Sequence, residues 1–201
     1  MLEVFSKKLL LSNKSSKKKL SFTSSAPDTY VGDTNVIEFT CEDPISGDGY
    51  LYVEGHDGPL VAKANNSLIT FNVSGLLSGS KSILFVYPGD DNFEEYVEIV
   101  RFTISKTKAT INAKGTTPKE GEDAVITVNC PRGATGYAHA NINGVVYFAS
   151  NVVNKARVIV PYLSRGNYEA YCQYMGDDKY SPSDESMTYV TVTKVNSGGV
   201  S

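Results

Sequence analysis

The sequence predicts an all-β chain of two tandem Greek-key β-sandwiches, on three observations: an internal repeat, alternation of period two with no helical spacing, and turn residues at regular intervals. The repeat comes first. Gly32, Val36 and Cys41 recur 89 residues later as Gly121, Val125 and Cys130. Pro44, Gly49-Tyr50, Val73, Leu76, Gly79, Tyr87 and Gly89-Asp90-Asp91 recur 87 residues later as Pro131, Gly136-Tyr137, Val160, Leu163, Gly166, Tyr174 and Gly176-Asp177-Asp178. The two-residue slip falls between Cys130 and Pro131, opposite Glu42-Asp43, which places a deletion in a loop, where a sandwich tolerates one.

Within each repeat the strands follow in order. Ile37, Phe39 and Cys41 alternate with Glu38 and Thr40, and Ile126, Val128 and Cys130 with Thr127 and Asn129, as in strands with one buried face. Leu68 to Val73, Ile83 to Tyr87, Ala156 to Val160 and Tyr168 to Tyr174 are short β-branched or aromatic runs bounded by turn residues. Asp57-Gly58 and Asn143-Gly144 supply hairpin turns at comparable places. This gives about seven strands per repeat. The boundaries follow: a basic, disordered arm over residues 1–19, a first domain over 20–106, a second over 107–195 and a flexible tail over 196–201.

Composition excludes several classes. With 19 Lys and Arg against 22 Asp and Glu, the net charge of −3 gives no field to hold a nucleic acid. Six lysines, Lys7, Lys8, Lys14, Lys17, Lys18 and Lys19, crowd the first twenty positions and form the arm. Leu9-Leu10-Leu11 is too short for an export signal or a membrane span. The three cysteines and two histidines lack metal-ligand spacing, so neither metal nor cofactor is expected. His56 and His139 are isolated, and no serine or cysteine sits in a nucleophile context, so the chain reads as no enzyme.

The segment Leu163-Ser-Arg-Gly166-Asn-Tyr168 through Tyr174-Met-Gly176-Asp177-Asp178-Lys-Tyr180 resembles the closing half of bacterial immunoglobulin-like repeats, the group 3 kind of adhesin-like surface proteins in bacteria and methanogenic archaea. The first repeat carries a weaker copy, with Lys81 where Tyr168 aligns. The resemblance covers about residues 20–195 and implies two immunoglobulin-like sandwiches. It also makes Tyr168 a tyrosine corner, its hydroxyl bonded back to the backbone near Leu163.

Four sets of residues are site candidates. Cys130 and Cys172 both fall on the inward phase of their strands: they form an inter-sheet disulfide in an oxidising compartment, or pack as two small apolar groups. Cys41, with Phe85 at the partner position, reads as a buried free thiol. Asp90, Asp91, Asp177 and Asp178 are weak calcium ligands, since each Gly-Asp-Asp is better explained as an Asx-stabilised turn. By the implied strand order these loops face Lys17-Lys18-Lys19 and the Lys106–Lys108 junction. The arm lysines Lys14, Lys17, Lys18 and Lys19 are docking candidates. Asn13, Asn65 and Asn72 fit the N-glycosylation pattern, and most of the 13 tyrosines read as core or corner residues.

The functional expectation is a non-catalytic extracellular spacer or adhesion module of a cell-surface adhesin-like protein. The alternative is a virion protein, a head decoration or tail fibre docked through the arm, to which the Met1 start and the lack of an anchor lend themselves. A carbohydrate-binding accessory domain of an enzyme ranks third. The expected partners are a protein or a surface glycan, or a virion assembly partner, with homo-oligomerisation open and no nucleic acid.

Overall fold

The computed structural model describes residues 17–149 and 152–195. Lys7, Lys8, Lys14, the Asn13 acceptor and the tail 196–201 therefore lie outside the described residues. The chain divides into two compact units, the first holding Asp33–Ile104 and the residues up to Thr29, the second holding Tyr30–Gly32 and the residues from Ser105 onward.

Among the described residues every regular element is a strand. The strands of the first unit, of which β2 and β8 each end one residue into the second, are β1 (Phe22–Ser25), β2 (Thr29–Tyr30), β3 (Asn35–Cys41), β4 (Asp48–Tyr52), β5 (Leu60–Lys63), β6 (Leu68–Val73), β7 (Gly79–Tyr87) and β8 (Tyr96–Ser105). Two sheets result, β1-β3-β6 and β2-β8-β7-β4-β5. Alternation explains the layering. In β3, Ile37, Phe39 and Cys41 are buried while Val36 and Thr40 are exposed. In β7, Ile83, Phe85 and Tyr87 point inward.

The second unit repeats the plan with β9 (Thr107–Lys108), β10 (Asn112–Gly115), β11 (Ala124–Asn129), β12 (Ala138–Ile142), β13 (Val145–Ala149), β14 (Lys155–Val160), β15 (Gly166–Tyr174), β16 (Tyr180–Ser181) and β17 (Ser186–Val192). Its sheets are β10-β11-β14 and β13-β12-β15-β17, with β9 and β16 forming a short parallel pair. Each unit is an immunoglobulin-like β-sandwich, in which a three-stranded sheet faces one of four or more strands.

The cores differ in side-chain size. In the first unit Phe39 stacks on Phe85 at 3.7 Å between centroids, and Phe22 and Phe71 meet Phe85 edge-on. The second unit puts Val128 and Cys172 at the two stacked positions and fills its centre with alanine and valine, among them Ala124, Ala140, Ala170, Val158 and Val190.

The registers relocate the slip in the repeat. Leu51 pairs with Phe85 across β4 and β7 as Ala140 pairs with Cys172 across β12 and β15, so the spacing of 89 still holds at β4. Leu51 also pairs with Leu60, and Ala140 with Tyr147, so from β5 onward the spacing is 87. The deletion therefore lies in the β4–β5 hairpin and not beside Cys130. Asn143 and Gly144, at φ of 51° and 83°, close the shorter β12–β13 hairpin as a two-residue turn, a device the longer Val53–Pro59 connection does not need.

The end of the basic arm also departs from the expectation. Lys18 is bridged in parallel to Phe93: its amide donates to the Asn92 carbonyl at 2.8 Å and its carbonyl accepts from the Glu94 amide at 3.0 Å. Its ammonium pairs with Asp43 at 2.6 Å, not with Asp90 or Asp91. Three backbone and side-chain bonds hold this residue to the sandwich, whereas a free arm would have none.

Candidate functional site

Each repeated Gly-Asp-Asp builds the same cage. Asp90 Oδ1 accepts from the amides of Asn92 and Phe93 at 2.8 and 3.0 Å, and Oδ2 accepts from the amide and hydroxyl of Ser46, both at 3.1 Å. The Tyr87 hydroxyl lies 2.8 Å from the same Oδ2 and 2.9 Å from the Ser46 carbonyl oxygen. Asp177 repeats this with the amides of Lys179 and Tyr180 and with the amide and hydroxyl of Thr135, while Tyr174 reaches the Thr135 carbonyl at 2.7 Å. Burial alone would raise the Asp90 carboxyl. The Asn92 amide, the Tyr87 hydroxyl and the other donors outweigh burial and hold it at about 2. Asp177 is held at about 2 in the same way, with the Thr135 amide the foremost of its donors. Burial, with the carboxylate alongside, pushes both tyrosine hydroxyls up.

Gly89 and Gly176 sit at φ of 86° and 84°, and an added Cβ would come within 2.5 and 2.7 Å of the Phe93 and Tyr180 carbonyl oxygens, so glycine is required at both. The cages pin one loop of each sandwich to another, and every oxygen of the caged carboxylates already faces a donor. Asp91 and Asp178 are exposed beside them. Among the described residues no three His, Cys, Asp or Glu side chains converge on a common point. Of the two junction lysines, one meets the Gly-Asp-Asp loop as expected and the other does not. Lys106 donates to the backbone carbonyl of Asp177, and Lys108 pairs with Asp184 at 2.8 Å.

The remaining candidates lie in structural settings. The Tyr168 hydroxyl donates to the Ser164 carbonyl at 2.9 Å, one residue beyond Leu163. Cys41, Cys130 and Cys172 are free thiols, and burial pushes Cys130 and Cys172 up to about 11, far from a reactive thiolate.

The surface with recognition chemistry is one that sequence reading missed: the outward face of β13-β12-β15-β17. Cross-strand pairs place His139 between Phe148 and Gln173, Asn141 between Val146 and Tyr171, and Glu169 beside Tyr189. Phe148 and Tyr189 are 65 % and 55 % exposed, and Tyr137 packs on Phe148 at 6.2 Å between centroids. At the hairpin end a shallow cleft is lined by Asn141, Asn143, Gly144, Glu169, Tyr171 and Glu185. The Tyr171 hydroxyl donates to Glu169 at 2.8 Å within this lining. The face thus combines rigid amphipathic rings with amide and carboxylate groups able to donate and accept hydrogen bonds.

Neither a protein-family model nor a curated protein matches this chain. Among solved structures 808 chains match. They include the fibronectin(III)-like modules of Clostridium thermocellum CbhA, at 15 % identity and a TM-score of 0.38, covering 90 % of this chain and 98 % of that one. The I9-I11 tandem from titin matches at 10 % identity and a TM-score of 0.36, covering 87 % and 66 %. The BSP domain of a biofilm associated protein matches at 18 % identity and a TM-score of 0.30, covering 87 % of this chain and 30 % of that one. No helix among the described residues is long and apolar enough to cross a membrane.

Proposed function

We propose that the chain is a non-catalytic adhesion module of a cell-surface protein, in the manner of the group 3 immunoglobulin-like repeats, and that its second unit holds a surface glycan on the outward face of β13-β12-β15-β17. The observation that carries this reading is the exposed set Tyr137, Phe148, Tyr171 and Tyr189 with Asn141 and Glu169 between them on one sheet. Sugar rings present apolar C–H faces that stack on aromatic rings, and hydroxyls that pair with amide and carboxylate groups. A sheet surface carrying both is suited to them. The family reading is supported by landmarks of the repeat that perform the same structural job twice, Tyr87 with Asp90 and Tyr174 with Asp177.

The test is binding of the full chain to a panel of immobilised oligosaccharides. Retention of a defined subset is expected, lost more than about tenfold in Tyr171→Ala and Tyr189→Ala while the melting temperature stays within a few degrees of the parent. Retention of no sugar, or binding indifferent to both substitutions, overturns the assignment.

A further inference from the structure

The outward face of β5-β4-β7-β8 in the first unit differs in kind from the face just described. On the inner side of β8, Val100, Phe102 and Ile104 are buried and Glu98 is the one charge, bonded to Ser24 and Tyr96, while on the outer side Val97 and Ile99 are apolar as well. Register extends this across the sheet: Val97 pairs with Val86, Ile99 with Leu84, Leu84 with Tyr52, and Tyr50 with Val61. The result is a block of two rows, one four strands wide through Val97, Val86, Tyr50 and Val61, the other three strands wide through Ile99, Leu84 and Tyr52. Val61, Tyr52, Val97 and Ile99 in it are each 45–57 % exposed. An unbroken apolar block of this kind on a sheet is the mark of a surface meant to be covered.

The charges at its ends identify the cover. From the residue that precedes β8 and along the strand, the exposed positions of the outer phase run Glu95, Val97, Ile99, Arg101. Consider two such sheets face to face, related by a two-fold axis between them and perpendicular to the strands. The axis keeps each strand column and reverses the rows, so Glu95 of one copy lies opposite Arg101 of the other, and Val97 opposite Ile99. Along this one strand the pattern is its own complement. Glu95 and Arg101 join no ion pair among the described residues, so both are available. Four strands about 4.8 Å apart and four outward rows about 6.8 Å apart cover roughly 500 Å² in projection. Side-chain relief raises the accessible area toward the ~600 to 800 Å² per partner of a stable dimer.

We infer that this face is a homodimer interface, with a second copy of the chain seated on it through antiparallel pairing of Glu95 with Arg101. The inference is independent of the glycan reading, which concerns the other unit.

The experiment is sedimentation equilibrium of the full chain across about 1 to 100 μM, the range in which interfaces of this size associate. A mass twice the 21.8 kDa of the chain is expected. Glu95→Arg alone and Arg101→Glu alone set like charges opposite one another and shift the dissociation constant upward by about tenfold or more. The double variant restores the pairing and the dimer. Ile99→Lys abolishes it, with the circular dichroism spectrum and melting temperature checked in each case. Four outcomes overturn the inference: a monomer throughout the range, a dimer indifferent to all these substitutions, single-variant losses that the double variant fails to rescue, or a mass that grows without limit. The last would mean that the face meets a different surface of the next copy.

Discussion

Asp90 and Asp91 are adjacent and chemically identical, yet only the first is tied into the fold, through contacts that span 44 residues of sequence to Ser46. The consequence is a measurable pH dependence. The carboxyl of Asp90 titrates near 4 in the unfolded chain and at about 2 in the folded one. A depressed carboxyl contributes stability that is present above the unfolded value and is lost as the pH falls through the folded one, between about pH 4 and pH 2. Asp177 contributes over the same window. Both groups are partly solvated, which reduces each contribution to roughly 1 kcal/mol. Asp90→Asn and Asp177→Asn should each lower unfolding stability at pH 7 by about 1–3 kcal/mol and flatten the acid limb of the stability curve. Asp91→Asn and Asp178→Asn should leave both within about 0.5 kcal/mol. Urea unfolding at several pH values decides it. The Gly-Asp-Asp turns were legible in the sequence because the motif is local. Ser46 and Thr135 were not, because their role comes from the way two loops meet.

At the level of elements, strand positions could be read from alternation alone, since one buried phase suffices to place β3 or β11. The register could not. The match of Pro44 with Pro131 and of Gly49 with Gly136 drew the deletion to the wrong loop, and only the cross-strand pairs of Leu51 and Ala140 locate it. The two outward faces were hidden for a different reason. Period-two reading stops once it finds one apolar phase, whereas Ile83 to Tyr87 is apolar in both phases and Val97 and Ile99 add apolar groups to the outer phase of β8. That continuity was the available signal, and it marks sheets with something to cover on both sides. A second element-level constraint sits at the end of β10, where a Cβ on Gly115 would lie 2.1 Å from the Tyr189 carbonyl oxygen. There β10 of one sheet lies against β17 of the other. Gly115→Ala is therefore expected to cost about 2 kcal/mol or more and to lower the thermal transition of that unit, followed by calorimetry. A Gly115→Ala chain that melts like the parent would show that β10 can move aside.

Considered as a whole molecule, the chain repeats one architecture with two interiors, one built on stacked phenylalanines and one on small aliphatic groups, and neither unit is cross-linked. Without covalent staples, cohesion depends on how the terminal segments are fastened. In the second unit the opening segment runs parallel to the closing one. The Thr193 amide donates to the Pro118 carbonyl at 2.9 Å, the Glu120 amide donates to the Thr193 carbonyl at 2.8 Å, and β9 lies parallel to β16. Tension applied between the two ends of the unit pulls along these bonds in opposite directions, so they are sheared together and cannot peel one at a time. Single-molecule extension should show an abrupt rupture, and Thr193→Pro, which removes one of the two amides, should lower its force with little change in the melting temperature. A sandwich fastened this way yields to sudden tension only when its parallel bonds break together, and once drawn out it is free to refold because no cross-link has to be remade.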